Sequence, residues 1–129
     1  MRLVRHATAA AYAGAALPFL GGDEARYCMG LGTLDEIRRF PDRFREAQLF
    51  TFADEAGAVH GAAWLAPPLA LGFTACGDEV LAALGDELAT AGVRPGSIGG
   101  PARETARFFD QKIGYEPVAD VARYNLAYS

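Results

Sequence analysis

The sequence predicts an α/β (α+β) fold, in which a mixed, mainly antiparallel twisted sheet of about six strands carries about four helices on its two faces. The first observation is the stretch 69–92, where a short apolar run turns sharply into an amphipathic helix. Such a joint is where an α/β domain usually places its ligand. The second is the alternation of residue types between 47 and 66, which is typical of two strands joined by a turn. The third is the spacing of apolar residues at three and four residue steps, which predicts helices that bury one face.

Length and composition predict one domain, 1–129. Of the 129 residues 51% are hydrophobic, which fits a single core and is too little for two ordinary domains. The net charge is -4 and no basic block occurs, so we expect no nucleic-acid partner. No segment approaches the ~20 apolar residues of a membrane span. Two cysteines are too few for a disulfide scaffold, so we predict a reduced, cytoplasmic setting with both thiols buried.

The first 41 residues are predicted to form a strand and two helices. Residues 1–6 can form a short strand, and Thr8 can cap a helix that runs to about Ala16 or beyond. Pro18 with Gly21 and Gly22 then marks a break, and Asp23 is a good N-cap for a second helix that Pro41 ends or bends. The N-terminus also imitates a signal peptide, but its apolar stretch is mostly alanine and only weakly hydrophobic, which favours an ordinary helix.

The rest of the chain is predicted to hold a three-strand meander followed by alternating helices and strands. The meander is read from the alternation and its turns, and the first helix after it is closed by Gly92. The predicted elements are strands 47–54, 58–66 and 69–75, a helix from 78 to 91, a short strand 97–99, a helix from 101 to 114 and a final strand 118–129.

This order of elements resembles the GNAT acetyltransferase superfamily, and several stretches strengthen the resemblance. The segment ARFFDQKIGYEP, 106–117, resembles the late helix signature, which closes here on Gly114 and Tyr115. The runs EARYCMGLGTL, HGAAWLAPPLALGFTA and RPGSIGGPA are similar to the N-terminal half of bacterial proteins built from two GNAT-like halves. The resemblance implies an acyl-CoA N-acyltransferase fold that transfers an acetyl group from acetyl-CoA to an amine. The coenzyme would then lie against the turn after the fourth strand, here Phe73, Ala75, Cys76 and Gly77.

Two departures from the family pattern predict an impaired coenzyme site. In active members of the superfamily, the turn after the fourth strand resembles the pattern Gln or Arg, two residues, Gly, one residue, then Gly or Ala. The bare backbone N–H groups of this turn can then hold the coenzyme pyrophosphate. If Gly77 is the first glycine of that pattern, Thr74 replaces the Gln or Arg and Glu79 replaces the last small residue. Asp78 adds a second carboxylate to the same helical turn, where it repels phosphate. The tyrosine that often returns a proton to the departing thiolate corresponds to Asp110, which is ionised at neutral pH unless strongly perturbed.

The histidines and cysteines are weak candidates for chemistry. His6 and His60 have no partner that the sequence positions, so we predict a structural or solvated role for both. Cys76 stands at a strand-to-helix joint where a thiol pKa can fall, but the acidic residues after it oppose this effect and favour an inert buried thiol. These side chains and Cys28 are too dispersed for zinc, so no metal is expected.

Glycines and aromatic residues are predicted to serve the fold. Gly96, Gly99 and Gly100 precede a helix and could cradle an anion, but they more often permit a tight strand-to-helix turn. The large aromatic residues are predicted to form the core, and they are Phe50, Phe52, Trp64, Phe73, Phe108 and Phe109.

We therefore predict a catalytically impaired GNAT-like domain that acts by association. Its partner would be a second copy, in a homodimer, or a second GNAT-like half. A last strand that a complete GNAT domain usually supplies is missing from the predicted order, and the open sheet edge invites pairing. One alternative is an active N-acetyltransferase that holds acetyl-CoA in a variant way. Another is a domain that binds a small ligand other than coenzyme A.

Overall fold

A computed structural model describes residues 1–92 and 95–110, without the side chains of residues 109 and 110. Its elements in chain order are β1 (Arg2–His6), α1 (Ala9–Leu20), a short 3-10 turn (Gly21–Asp23), α2 (Cys28–Arg39), β2 (Gln48–Ala53), β3 (Val59–Leu65), β4 (Leu71–Phe73), α3 (Asp78–Ala91), β5 (Ile98–Gly99) and α4 (Ala102–Asp110).

The five strands of the described residues form one sheet in the order β1-β2-β3-β4-β5. The first four strands are antiparallel to their neighbours, and β4 and β5 are parallel. The parallel pair is made by a crossover through α3, because parallel neighbours need a long connection. The predicted mixed, mainly antiparallel sheet with helices is therefore confirmed at this coarse level.

Helices cover both faces of the central strands, so β2 and β3 are buried on both sides. One core lies between the sheet and the helices α3 and α4, and the other lies between the sheet and α1 and α2. We name them the α3/α4 core and the α1/α2 core. The α3/α4 core contains Phe50, Phe52, Leu71, Phe73, Leu81, Leu84 and Phe108. The α1/α2 core contains Tyr12, Ala16, Leu20, Leu34, Ile37, Leu49 and Trp64.

The predicted helix after β4 is confirmed from Asp78 to Ala91. Val80, Leu81, Leu84 and Leu88 are buried on one face, as their spacing predicts. The helix ends at Gly92, which has φ 70° and donates its N–H to the carbonyls of the last turn. A left-handed residue at this position is a common way to end a helix, and glycine adopts it without strain.

One predicted helix boundary is wrong and another needs a closer definition. The first helix continues past Pro18 and ends at Leu20, directly before Gly21, because the complete burial of Leu20 outweighs the loss of one hydrogen bond near the end of the helix. The second helix begins at Cys28 and not at Asp23. The Asp23 side chain accepts the N–H of Arg26 at 3.2 Å, so it closes a local turn ahead of the helix.

The three strands of the meander lie where they were predicted, though each is shorter. The predicted last strand, 118–129, lies outside the described residues, as do Gly114 and Tyr115. The aromatic residues predicted to form the core are buried in every case whose side chain is described. Phe109 is the one whose side chain is outside that set.

Candidate functional site

The four residues predicted to contact coenzyme lie together at the end of β4, but they face different surroundings. Phe73 is the last residue of β4, and Phe73 and Ala75 both line a cavity of about 500 Å³. Cys76 instead packs against the α3/α4 core. Gly77 is the N-cap of α3. The predicted site is thus divided between a cavity and a helix N-terminus.

The cavity lies between the segment that enters α2, the end of β4 and the start of α4. Tyr27, Met29 and Arg26 contribute from the first of these segments, and Pro101 contributes from the last. Trp64 of β3 also lines it. Most of these side chains are apolar, and Arg26 is the only charged one among the described lining residues. The cavity therefore suits an apolar ligand.

Two glycines make room for the indole of Trp64. Trp64 is directly opposite Gly72 in the β3–β4 pair, and a Cβ atom on Gly72 would overlap the indole Nε1. A Cβ atom on Gly30 of α2 would lie 2.8 Å from the other end of the ring. Trp64 is 2% exposed, and its Nε1 has no hydrogen-bond partner among the described residues. A buried donor without a partner is rare in a folded protein.

Two arginines of α4 form ion pairs with the first turn of α3. Gly77 offers no side chain to cap the helix, and the first turn carries Asp78 and Glu79. Asp78 accepts a hydrogen bond from Arg103 of α4 at 3.2 Å, and Arg107 lies 3.8 Å from its other oxygen. The positive end of α3 is therefore already next to a carboxylate of the chain itself, which two arginines hold in place.

The two thiols differ in exposure and in chemistry. Burial raises the pKa of the half-buried Cys76 thiol to about 12, and the neighbouring Glu104 carboxylate also raises it. A thiol with such a pKa is almost entirely protonated at neutral pH, which agrees with the prediction of an inert Cys76. Cys28 is exposed, so the prediction that both thiols are buried is wrong for this residue. It is the first residue of α2 and lines the cavity.

Each histidine has a partner that the sequence did not indicate. His60 lies 2.7 Å from Asp54 across the β2–β3 hairpin, and this hydrogen bond is the main reason that the pKa of Asp54 is lowered. His6 lies 2.8 Å from the Thr51 hydroxyl, and burial lowers the pKa of its imidazole. Neither histidine lines the cavity, so the structural role predicted for them still accounts for their positions.

The remaining candidate positions do not add to the site. Gly100 packs against the ring of Phe73, where a Cβ atom would lie 2.8 Å from the ring, so its small size serves a close approach. Asp110 is the last residue of α4, and its side chain is outside the described part of the chain.

Sequence reasoning missed the two features that shape the site. Trp64 was interpreted only as core, although Gly72 on the next strand is a signal that a large ring lies across that strand. Arg103 was not singled out, because the contact with Asp78 joins residues 25 positions apart. Only the packing of α4 beside α3 brings the two charges together.

No family model, curated protein or solved structure matches this chain. Within residues 1–92 and 95–110, no three His, Cys, Asp or Glu residues are grouped so as to hold a metal ion. No helix in the same ranges has the length and apolar character needed to cross a membrane.

Proposed function

We propose that this chain is a GNAT-like acetyltransferase domain whose acetyl-CoA site is degenerate, and that it acts through association with a second copy or a second GNAT-like half. Support comes first from the element order. A strand, two helices, a three-strand meander, a helix, a short strand and a helix follow one another through residue 110. This is the order on which the resemblance to the superfamily rests.

The observation that carries the proposal is the acidic first turn of α3. A coenzyme pyrophosphate at this helix would approach Asp78 and Glu79 within a few ångströms. Each like-charge pair at 4 Å costs about 1 kcal/mol in water and more where water is excluded. Arg103 and Arg107 could attract phosphate, but both are engaged with Asp78. The helix end therefore lacks the net attraction for anions that phosphate binding needs.

Association is supported by the edges of the sheet. Among the described residues, β1 has β2 as its only neighbour and β5 has β4 as its only neighbour. An edge strand presents unpaired backbone donors and acceptors that another chain can pair with. The five residues of β1 make the longer of the two edges, so β1 is our candidate for strand pairing between copies.

The alternative is an active N-acetyltransferase with a variant coenzyme site, and one observation favours it. Arg103 and Arg107 partly neutralise Asp78, which lowers the repulsion of phosphate. The cavity beside Phe73 and Ala75 could then take the acyl part of acetyl-CoA.

Calorimetric titration with acetyl-CoA separates the two functions. We expect no binding to the wild-type chain at millimolar coenzyme. We expect measurable binding, at least about tenfold tighter, to the double variant Asp78→Asn/Glu79→Gln, because removing two repulsions of about 1 kcal/mol each changes affinity by at least this factor. The matched control is Asp86→Asn/Glu87→Gln, which removes the same charge from the same helix away from its N-terminus and should bind no better than wild type.

Micromolar binding to the wild-type chain that weakens in Gly77→Val would overturn the degenerate site and favour the active enzyme. If neither the wild type nor the double variant binds, the two carboxylates are not the cause of the missing affinity. Association is tested by light scattering. A strictly monomeric mass at every concentration would exclude the homodimer and leave only a second GNAT-like half as partner.

A further inference from the structure

We propose that two copies of this chain join edge to edge, with their β1 strands paired antiparallel about a twofold axis at Val4, and that Arg5 of each copy contacts an acidic groove between β1 and α3 of the other. The two sheets then form one continuous sheet. This dimer rests on the association proposed above, with a second copy as the partner.

A groove of about 450 Å³ lies between the edge strand β1 and α3, and we name it the edge groove. Leu3 lines it from the strand, and Glu79, Asp86 and Glu87 line it from the helix. All three carboxylates are exposed. Arg2 is the only basic side chain among the described residues that line the groove. The edge groove therefore carries an excess of negative charge.

Two of the three carboxylates in the edge groove have no partner in the described part of the chain. Glu87 accepts a hydrogen bond from Arg5 at 2.8 Å. Glu79 and Asp86 form no ion pair with any described residue. Unpaired negative charge beside an edge strand favours a basic segment as the occupant of the groove.

β1 is itself a segment of this kind. It carries Arg2 and Arg5 and no acidic residue. In a twofold dimer the contact surface must be self-complementary, because every pair of residues in contact occurs twice. An edge that combines a basic strand with an acidic helix face meets this condition. Charge complementarity therefore selects a second copy of the chain as the occupant.

The register follows from the length of β1 and the charge of Arg5. Val4 is the middle residue of β1, so an axis there pairs all five residues and places Arg5 of one copy opposite Leu3 of the other. Directly opposite residues of antiparallel strands lie on the same face of the sheet. Leu3 packs against the α3/α4 core and lines the edge groove, so Arg5 of the second copy lies on that side. An axis at Arg5 would instead place two arginines opposite each other, which is unfavourable.

The same register avoids the repulsion with which charged edge strands usually prevent pairing. Each Arg5 lies opposite an apolar side chain and beside the carboxylates of α3. Arg2 of one copy lies opposite His6 of the other, and burial lowers the pKa of His6 below its ordinary value of 6.5. The imidazole is therefore neutral at neutral pH and does not repel the guanidinium.

Disulfide crosslinking tests the register. Val4→Cys, made together with Cys28→Ser to remove the exposed native thiol, places two cysteines opposite each other with Cβ atoms roughly 4.5–5.5 Å apart. This separation is near that of a disulfide, so we expect mild oxidation with diamide to give a covalent dimer on a non-reducing gel. Arg2→Cys in the same background is the matched control, because its two copies lie four residues, or roughly 13 Å, apart along the strands. Equal crosslinking of the two variants would contradict the axis at Val4.

Charge reversal tests the edge groove, with light scattering as the measurement. Arg5→Glu should weaken dimerisation at least about tenfold, because both equivalent contacts become repulsive. Glu79→Lys/Asp86→Lys reverses the other side and should weaken it to a similar extent. An equimolar mixture of the two variants should dimerise again, since the new carboxylate of one then meets the new lysines of the other and the second contact is native.

The matched control for charge is Glu24→Lys/Asp35→Lys, two exposed positions outside the edge groove. It makes the same change in net charge and should leave the dimer intact, and circular dichroism of each variant verifies the fold. A strictly monomeric wild type would overturn this dimer and leave a second GNAT-like half as the partner in the function proposed above. A wild-type dimer that neither reversal weakens, or a mixture that does not recover, would place the contact on another surface and leave the proposed association standing.

Discussion

At the end of β4, a large aromatic ring packs differently on the two faces of the sheet. On the α3/α4 face, Phe73 packs against Phe108 with ring centres 5.8 Å apart and against the backbone of Gly100. On the α1/α2 face, Trp64 lies across Gly72 and leaves a cavity between itself and the segment entering α2. Glycine allows a close approach on both faces, and both rings also line the cavity at the end of β4. The comparison indicates that close packing on a glycine positions a large ring on each face, and that the remaining space lies where the segment entering α2 meets the end of β4.

Polar groups on the two sides of the sheet also differ in whether they have hydrogen-bond partners. The acidic residues that start α3 find their partners in Arg103 and Arg107 at the surface. The indole N–H on the other face finds none among the described residues. A buried donor left without a partner costs stability, whereas a surface carboxylate beside two arginines keeps its hydrogen bonds.

The largest effect on stability is expected when the α3/α4 core loses an aromatic side chain. Phe108→Ala should lower the free energy of unfolding by about 3–5 kcal/mol, because it removes a fully buried side chain that packs on Phe73. Urea unfolding followed by circular dichroism measures this loss. Phe40→Ala is the matched control, since Phe40 is 42% exposed and its loss should cost about 0.5 kcal/mol or less. Similar losses in the two variants would contradict a packed core at Phe108.

An intermediate effect is expected when a methyl group is added at Gly72, against the Trp64 ring. The methyl group of Gly72→Ala would overlap the Trp64 ring, and the ring must move at a cost of about 1–3 kcal/mol. Urea unfolding gives the free energy, and tryptophan emission reports the displaced ring. Gly32→Ala is the control on α2, where a Cβ meets nothing within 4 Å. It should be neutral or stabilising by about 0.5–1 kcal/mol, since alanine favours a helix. A stable Gly72→Ala protein with unchanged emission would show that Trp64 does not lie across that glycine.

The smallest effect is expected from His6 on the α1/α2 side. Burial lowers the pKa of His6 below its ordinary value of 6.5, so the folded state favours the neutral ring. Stability from this group is complete above pH 6.5 and is lost as the pH falls below 6.5 toward the lowered folded pKa, because the unfolded chain takes up the proton first. The urea midpoint at neutral pH and at mildly acidic pH measures the loss.

His6→Gln removes the titrating ring and should reduce the pH dependence, whereas His60→Gln keeps His6 and should retain its contribution. A dependence on pH that His6→Gln leaves unchanged would assign the loss to another group.

Most of the secondary structure was predictable from local patterns. The apolar spacing of α3 and the left-handed stop at Gly92 are properties of a single segment, and both were predicted correctly. The wrong boundary is the start of α2, which lies at Cys28 and not at Asp23, because the Asp23 side chain closes a turn ahead of the helix. Local rules could not anticipate this, because an aspartate can accept backbone N–H groups both in a turn and at a helix N-cap.

The candidate site shows the same division between local and long-range causes. Periodicity, turns and the acidic start of α3 depend on neighbouring residues, so the joint after β4 could be identified from the sequence. The cavity, the unpaired N–H of Trp64 and the pairing of Asp78 with Arg103 could not, because each depends on residues that are far apart in the chain. Strand register places Trp64 opposite Gly72, and helix packing places Arg103 beside Asp78. Such juxtapositions arise only when the separate elements come together, which is why they belong to the folded molecule and not to any stretch of its sequence.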